Sequence, residues 1–153
     1  MDDSARRRDA WAWSLAFEAS AWLILAALAL RVLTFASIVT LITPPRRAAR
    51  DRSSPDDARA IAWAVDAATG RAPWRALCFE RALAAGAMLR VRGHGPSLHY
   101  GAKTGGDSGV VAHVWVTVDG VDVVGCEEAS AFALLATFPP GGKGEATNGQ
   151  SRA

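Results

Sequence analysis

A chain of 153 residues, half of them hydrophobic, is long enough to bury a real core and short enough to be one domain. Its net charge of +2 is small and spread along the sequence, so it carries no basic footprint for nucleic acid. The two cysteines, Cys78 and Cys126, form no CxxC pair and no Cys/His cluster at ligand spacing. That argues against a disulfide scaffold or a zinc site, and fits a reducing cytoplasm with no metal or cofactor.

Residues 1–10 are polar and charged, and the apolar segment from Trp11 to Thr43 is helical in composition. Ala21 to Thr43 holds a single charge, Arg31. The length permits a membrane span, but a cation near the middle costs about 2.5–3.5 kcal/mol on insertion scales. The expectation is a helical hairpin packed on the domain, with membrane-surface contact through 11–43 as the alternative and a true span as the third option. Pro44-Pro45-Arg46-Arg47 follows where a secretory signal would carry small residues. Localisation is therefore expected to be cytoplasmic, with peripheral contact to the inner membrane in the alternative case.

Pro44-Pro45 ends the helical region, and a charged linker runs from Arg46 to Ser54. Ser54-Pro55-Asp56-Asp57 starts a helix with a capping serine, proline at the first position and acids at the positive end of the dipole. Ala58, Ile61, Ala62, Val65 and Ala68 recur at helical spacing, and Thr69-Gly70 is the stop. The next helix runs to about Arg90 and starts either near Cys78 or as early as Pro73. Arg75, Arg81, Arg90 and Arg92 read as a basic face, solvated or open to an acidic partner. His94 and His99, in or beside a Gly-rich turn, read as surface residues. Strands are expected at 97–103, 110–118 and 121–125, with a flexible turn over 104–109 and a hairpin turn at Asp119-Gly120. Ala129 to Leu135 looks helical, and a disordered tail follows. Helices leading into an antiparallel sheet make the fold α+β.

Within that order Cys78 opens an apolar helix, and His113 lies thirty-five residues later in the strand Ala112-His113-Val114-Trp115-Val116-Thr117-Val118. A helix start and a nearby imidazole both favour the reactive thiolate, and free N–H groups there can hold an oxyanion. Alternation places His113 with Trp115 and Thr117, away from a core face of Val114, Val116 and Val118. A third group should orient the imidazole. A two-residue turn would set Cys126 opposite His113 and Asp122 opposite Thr117, whereas a three-residue turn would set Glu127 opposite His113. Glu127 is the preferred third member and Asp119 the rival, although Asp-Gly suits the turn itself. Cys126 reads as a small buried hydrophobe. Spacing alone leaves open the reading in which Cys78 and His113 are both core residues.

The runs Cys78-Phe79-Glu80-Arg81-Ala82-Leu83-Ala84, Met88-Leu89-Arg90-Val91-Arg92-Gly93 and Ala112-His113-Val114-Trp115-Val116-Thr117-Val118-Asp119-Gly120 resemble the transglutaminase-like cysteine peptidases of lasso-peptide biosynthesis. The apolar N-terminal region and the Leu134-Leu135-Ala136-Thr137-Phe138-Pro139 ending are similar to that family too. The resemblance implies a transglutaminase-like, papain-like core over 46–140. In such a core, a helix carrying the cysteine packs on a small antiparallel sheet carrying the histidine. Residues 1–45 would be a helical region packed on that core, and 141–153 a disordered tail. It implies removal of the leader from a ribosomally made precursor peptide before a separate macrolactam synthetase closes the ring. Cys78 would be the nucleophile and His113 the general base. No leader-recognition domain precedes the peptidase region, so a separate leader-binding protein is an expected partner. Two positions depart from the pattern: Glu80 stands where proline is common, and the family's aspartate would fall near Gly125, with Glu127 the nearest substitute. A non-catalytic scaffold subunit and a small membrane-associated protein are the alternatives.

Overall fold

Asp3–Val32 contains neither proline nor glycine and forms one thirty-residue helix, α1, in the computed structural model, which describes residues 3–43, 54–74, 77–105 and 109–140. The chain then breaks, Thr34 caps the next helix by accepting from the Ser37 N–H, and α2 runs Phe35–Ile42. The apolar N-terminal region is helical, and its two helices pack chiefly on the rest of the domain rather than on each other. Leu15, Ala19, Leu23 and Ala26 recur one turn apart and are buried, and α1 packs on α3 (Pro55–Thr69) and α4 (Cys78–Val91). Asp9–Val32 is also long and apolar enough to cross a membrane.

The start of α3 is the one the sequence implies: the Ser54 hydroxyl accepts from the Asp56 N–H at 3.3 Å, and Pro55 opens the helix. Its Ile61, Ala64, Val65 and Ala68 face inward. Eight consecutive residues of α4, Ala82 to Leu89, are buried. A helix buried all round is a central helix, and α4 is enclosed by α1, α2, α3 and the sheet. Met88 and Leu89, fully buried, each contribute about 1.5–3 kcal/mol of transfer free energy.

The sheet is antiparallel with strand order β3-β2-β1-β4, from β1 (Pro96–Thr104), β2 (Val110–Val118), β3 (Val121–Val124) and β4 (Ala133–Phe138). Asp119 and Gly120 both have positive φ, 48° and 79°, and form the two-residue hairpin turn that matches strand twist. Thr117 accordingly pairs with Asp122, but Val116 pairs with Val124, so a bulge at Val123 shifts the register by one. Leu98, Val114, Val116 and Val118 turn to α4 and are buried in the core.

One element is corrected. Ala129 to Leu135 is not a helix: a 3₁₀ turn occupies only Ala129–Ala131, and β4 follows. Ala and Leu favour helix locally, but the open edge of β1 offers unpaired backbone groups, and β4 pairs along it from Leu98↔Phe138 to Ala102↔Ala133. The linker at 46–53, the middle of the turn at 106–108 and the tail at 141–153 lie outside the described residues.

Candidate active site

Cys78 is the first residue of α4, with Leu77 as its N-cap. The start is fixed by Glu80, whose carboxylate accepts from the Leu77 N–H at 3.0 Å. Glu80 thus closes the helix end that a proline would otherwise mark, and its acid lies at the positive end of the dipole. The half-buried Cys78 thiol lies in the first turn, where backbone N–H groups have no intrahelical partner. Cys126 differs: its thiol donates to the Val116 carbonyl at 3.2 Å. Burial, reinforced by the charges of Asp122 and Glu127, pushes the Cys126 thiol up to about 11, so it stays protonated at neutral pH.

His113, 9% exposed, lies on the face of β2 turned away from α4. Its Nε2 is 2.7 Å from the Gly125 carbonyl oxygen. A carbonyl only accepts, so Nε2 carries the proton and Nδ1 is left as the basic nitrogen of the neutral ring. The ring stacks on Trp115 (5.9 Å, 20°) and Phe132 (4.9 Å, 29°). Gly125 has φ +75°, and a Cβ there would come within 2.9 Å of the Val114 carbonyl and 3.3 Å of His113 Nε2. Only glycine lets the main chain turn and approach this closely.

Neither candidate third member, Glu127 or Asp119, is among the contacts of His113 described above. The bulge at Val123 supplies the one-residue shift that favours Glu127, but β3 ends at Val124 and the chain turns away at Gly125. Glu127 is exposed, and the imidazole is held by a main-chain carbonyl instead. Asp119 sits in the hairpin turn, six residues from His113 along β2, or about 20 Å. The Gly125 carbonyl fixes tautomer and ring orientation as a carboxylate would, without the full charge that stabilises an imidazolium.

Cys78 and His113 lie at one end of the sheet. The Phe79 ring is 6.1 Å from that of Tyr100, Tyr100 pairs with Val114, and the next residue, Gly101, pairs with His113. They belong to opposite sides, since α4 covers the valine face and the His113 ring lies on the other. Among the described residues no hydrogen bond joins thiol and imidazole.

The sequence reading missed His99. It is not a surface residue but 6% exposed, with Nδ1 3.1 Å from Thr137 Oγ1 and Nε2 2.9 Å from Thr117 Oγ1. Each hydroxyl can donate or accept, so the two contacts suit either tautomer of the ring. Burial lowers its pKa, opposed by the charge of Asp122. His99 stacks on Trp115 at 5.5 Å and 21°. The face away from α4 thus carries the row His99–Trp115–His113–Phe132, ended by the Lys103 ammonium 4.3 Å over the Phe132 ring. The available signal was alternation along β1, which sets His99 on the face of its partner Trp115.

The basic face is likewise corrected in part: Arg81 pairs with Asp66, and Arg92 grips Glu18 through two nitrogens at 2.8 and 2.6 Å. Arg75 lies outside the described residues. His94 is half-buried, 3.2 Å from Asp57. Among the described residues no three His, Cys, Asp or Glu side chains cluster to hold a metal.

Compared with known proteins, the chain matches the family model described as Transglutaminase-like superfamily over residues 20–137. No curated protein and no solved structure matches it.

Proposed function

Because the chain belongs to the transglutaminase-like superfamily, which includes cysteine peptidases, we propose that it is a cysteine peptidase with Cys78 as nucleophile and His113 as general base. The observation that carries this reading is the state of the two ends. Cys78 stands at the first position of α4, and His113, at the same end of the sheet, has Nε2 committed to Gly125 and Nδ1 left for proton transfer. In the reaction, Nδ1 takes the thiol proton as Sγ attacks the scissile carbonyl, and the oxyanion faces the N–H groups of the first turn of α4. His113 then protonates the leaving amine, and the thioester is hydrolysed by a water that gives its proton to Nδ1. Cleavage by this pair requires Nδ1 and Sγ to reach hydrogen-bond distance, and because the two groups start on opposite sides at the end of the sheet, substrate binding must rearrange that end rather than merely tighten a contact.

The substrate proposed is the precursor of a lasso peptide, cleaved behind its leader, with a leader-binding protein delivering it and a separate synthetase closing the macrolactam. The motifs around Cys78 and His113 support this finer reading. Incubating the purified chain with precursor and leader-binding protein, and following cleavage by mass, tests it. Cleavage is expected to vanish in Cys78→Ala and His113→Ala; full activity in Cys78→Ala would sink the proposal.

A second reading is favoured by a specific observation. The Gly125 carbonyl meets His113 Nε2 where an acid would serve, and thiol and imidazole are unjoined. In that reading the chain binds precursor and synthetase as a non-catalytic subunit. It predicts precursor binding by the wild type, unchanged in Cys78→Ala, with no cleavage by either.

A further inference from the structure

β3 and β4 are the two edges of the sheet, with β2 and β1 between them. The chain from Val124 to Ala133 therefore has to pass both inner strands, and each end of that crossover meets the outward face at His113. The edges lie three strand spacings apart, about 14 Å, and the eight residues 125–132 can reach about 26 Å. The 3₁₀ turn at Ala129–Ala131 takes up the slack. Glu127, Glu128, Ser130 and Ala131 are exposed, so the middle of the crossover is not packed on the sheet.

Its two ends are held differently. At the first, Gly125 accepts from His113 Nε2 at 2.7 Å, and the Cys126 thiol donates to the Val116 carbonyl at 3.2 Å. At the last, the half-buried Phe132 meets His113 through rings 4.9 Å apart, with the Lys103 ammonium 4.3 Å over it. The backbone bonds between those ends, from Ala129 to Cys126, Ala131 to Glu128 and Phe132 to Ala129, are internal to the crossover. A stacked ring can swing aside without leaving a buried donor or acceptor unpaired, whereas opening the first end would strand both.

The imidazole is thus enclosed by Trp115 on one side, Phe132 on another and the Gly125 carbonyl at Nε2, and is 9% exposed. A general base so enclosed is shut off from substrate. It also lies where β2 has most room to move. β3 pairs with β2 only from Val116 to Val118, so His113 is three residues beyond the last pair on that side.

We propose that Phe132 is a latch on His113. With its ring stacked the imidazole is withheld, and when the ring swings out His113 moves, still bonded to Gly125, toward the Cys78 end. This rests on the peptidase reading and names the contact that substrate binding must displace.

Modification of the full chain by diethyl pyrocarbonate, read by peptide mass, tests it alongside cleavage of the precursor delivered by its leader-binding protein. In the wild type His113 should react as slowly as the buried His99. In Phe132→Ala it should react about threefold to tenfold faster, the weight of one stacked pair, with His99 unchanged. The kcat for cleavage should rise severalfold with KM little altered, and Lys103→Met should act in the same direction by a smaller factor. If His99 is uncovered too, the variant has unfolded; Phe132→Leu, which fills the space without a flat ring, then has to show the contrast. Equal His113 reactivity with and without the Phe132 ring overturns the proposal. So does an uncovered His113 with a lowered kcat, which would make Phe132 a support for the base instead of a latch. If neither chain cleaves, the peptidase reading fails by itself, and the labelling alone upholds or overturns the latch.

Discussion

Along β2, Val114, Val116 and Val118 turn to α4 while His113, Trp115 and Thr117 turn away, so one strand builds two unlike surfaces. The valine side is held by volume: Leu98, the valines and the α4 side chains are buried with no polar group to satisfy. The other side is held by direction. His113 bonds to Gly125, His99 bonds to two threonines, and Trp115 stacks between the two imidazoles. A substitution on the first side should change how stable the protein is. On the second it should change how the imidazoles are held, at smaller cost to folding.

The largest effect is expected on the valine side. Leu98→Ala removes a fully buried side chain opposite Val116 and should cost about 2–5 kcal/mol in urea unfolding. A loss no larger than that of a surface substitution would break the contrast at its firmer end.

Gly125 is where the two sides meet the backbone, and the next prediction falls there. Gly125→Ala forces a Cβ into a positive-φ position 2.9 Å from the Val114 carbonyl, a strain of about 1–3 kcal/mol. Gly125→Asp should suffer the same penalty, so placing an acid there is expected to lower both stability and any cleavage rate rather than complete a triad. Increased cleavage by Gly125→Asp would show that the loop can adapt and that the carbonyl is a poor substitute.

How much of this was legible in the sequence follows the same division. The valine side was, because alternation reports burial directly, and so were the capped start of α3 and the Asp119-Gly120 turn, each set by residues within a few positions. β4 was not, since Ala-Leu-Leu-Ala is helical by local preference and only the edge of β1, some thirty residues away, makes it a strand. The partner of His113 was hidden for a related reason. A main-chain carbonyl has no residue type to recognise, and the bulge at Val123 that brings it into place appears only once β2 and β3 are paired.

A smaller effect is expected from pH. His99 has its pKa lowered by burial, so the unfolded chain binds the proton more readily than the folded one. Its contribution to stability is complete above about pH 6.5, the unperturbed value, and is lost as pH falls through the lowered one. Glu18, held below the usual carboxylate range by its hydrogen bonds to Arg92, loses its contribution only at lower pH still. Urea midpoints should therefore decline between pH 7.5 and 5.5 in the wild type. In His99→Gln, which keeps a polar side chain without titrating, the decline should be shallower; equal slopes would remove His99 from the account.

The least effect on folding is expected where the greatest effect on chemistry is proposed. Cys78 is half-buried and no hydrogen bond ties its thiol among the described residues, so Cys78→Ala should leave stability within about 0.5–1 kcal/mol of the wild type. Cys126, whose thiol donates to Val116 and is pushed up to about 11, should behave in the opposite way. Cys126→Ser should unfold more easily while leaving thiol reactivity unchanged. Brief iodoacetamide treatment of the native chain at neutral pH, read by peptide mass, should label Cys78 and spare Cys126, with both labelled in urea. Labelling of Cys126 at the rate of Cys78 would mean that its hydrogen bond to β2 opens readily, and the second face of the sheet would then be less firmly held than its bonded, stacked rings imply.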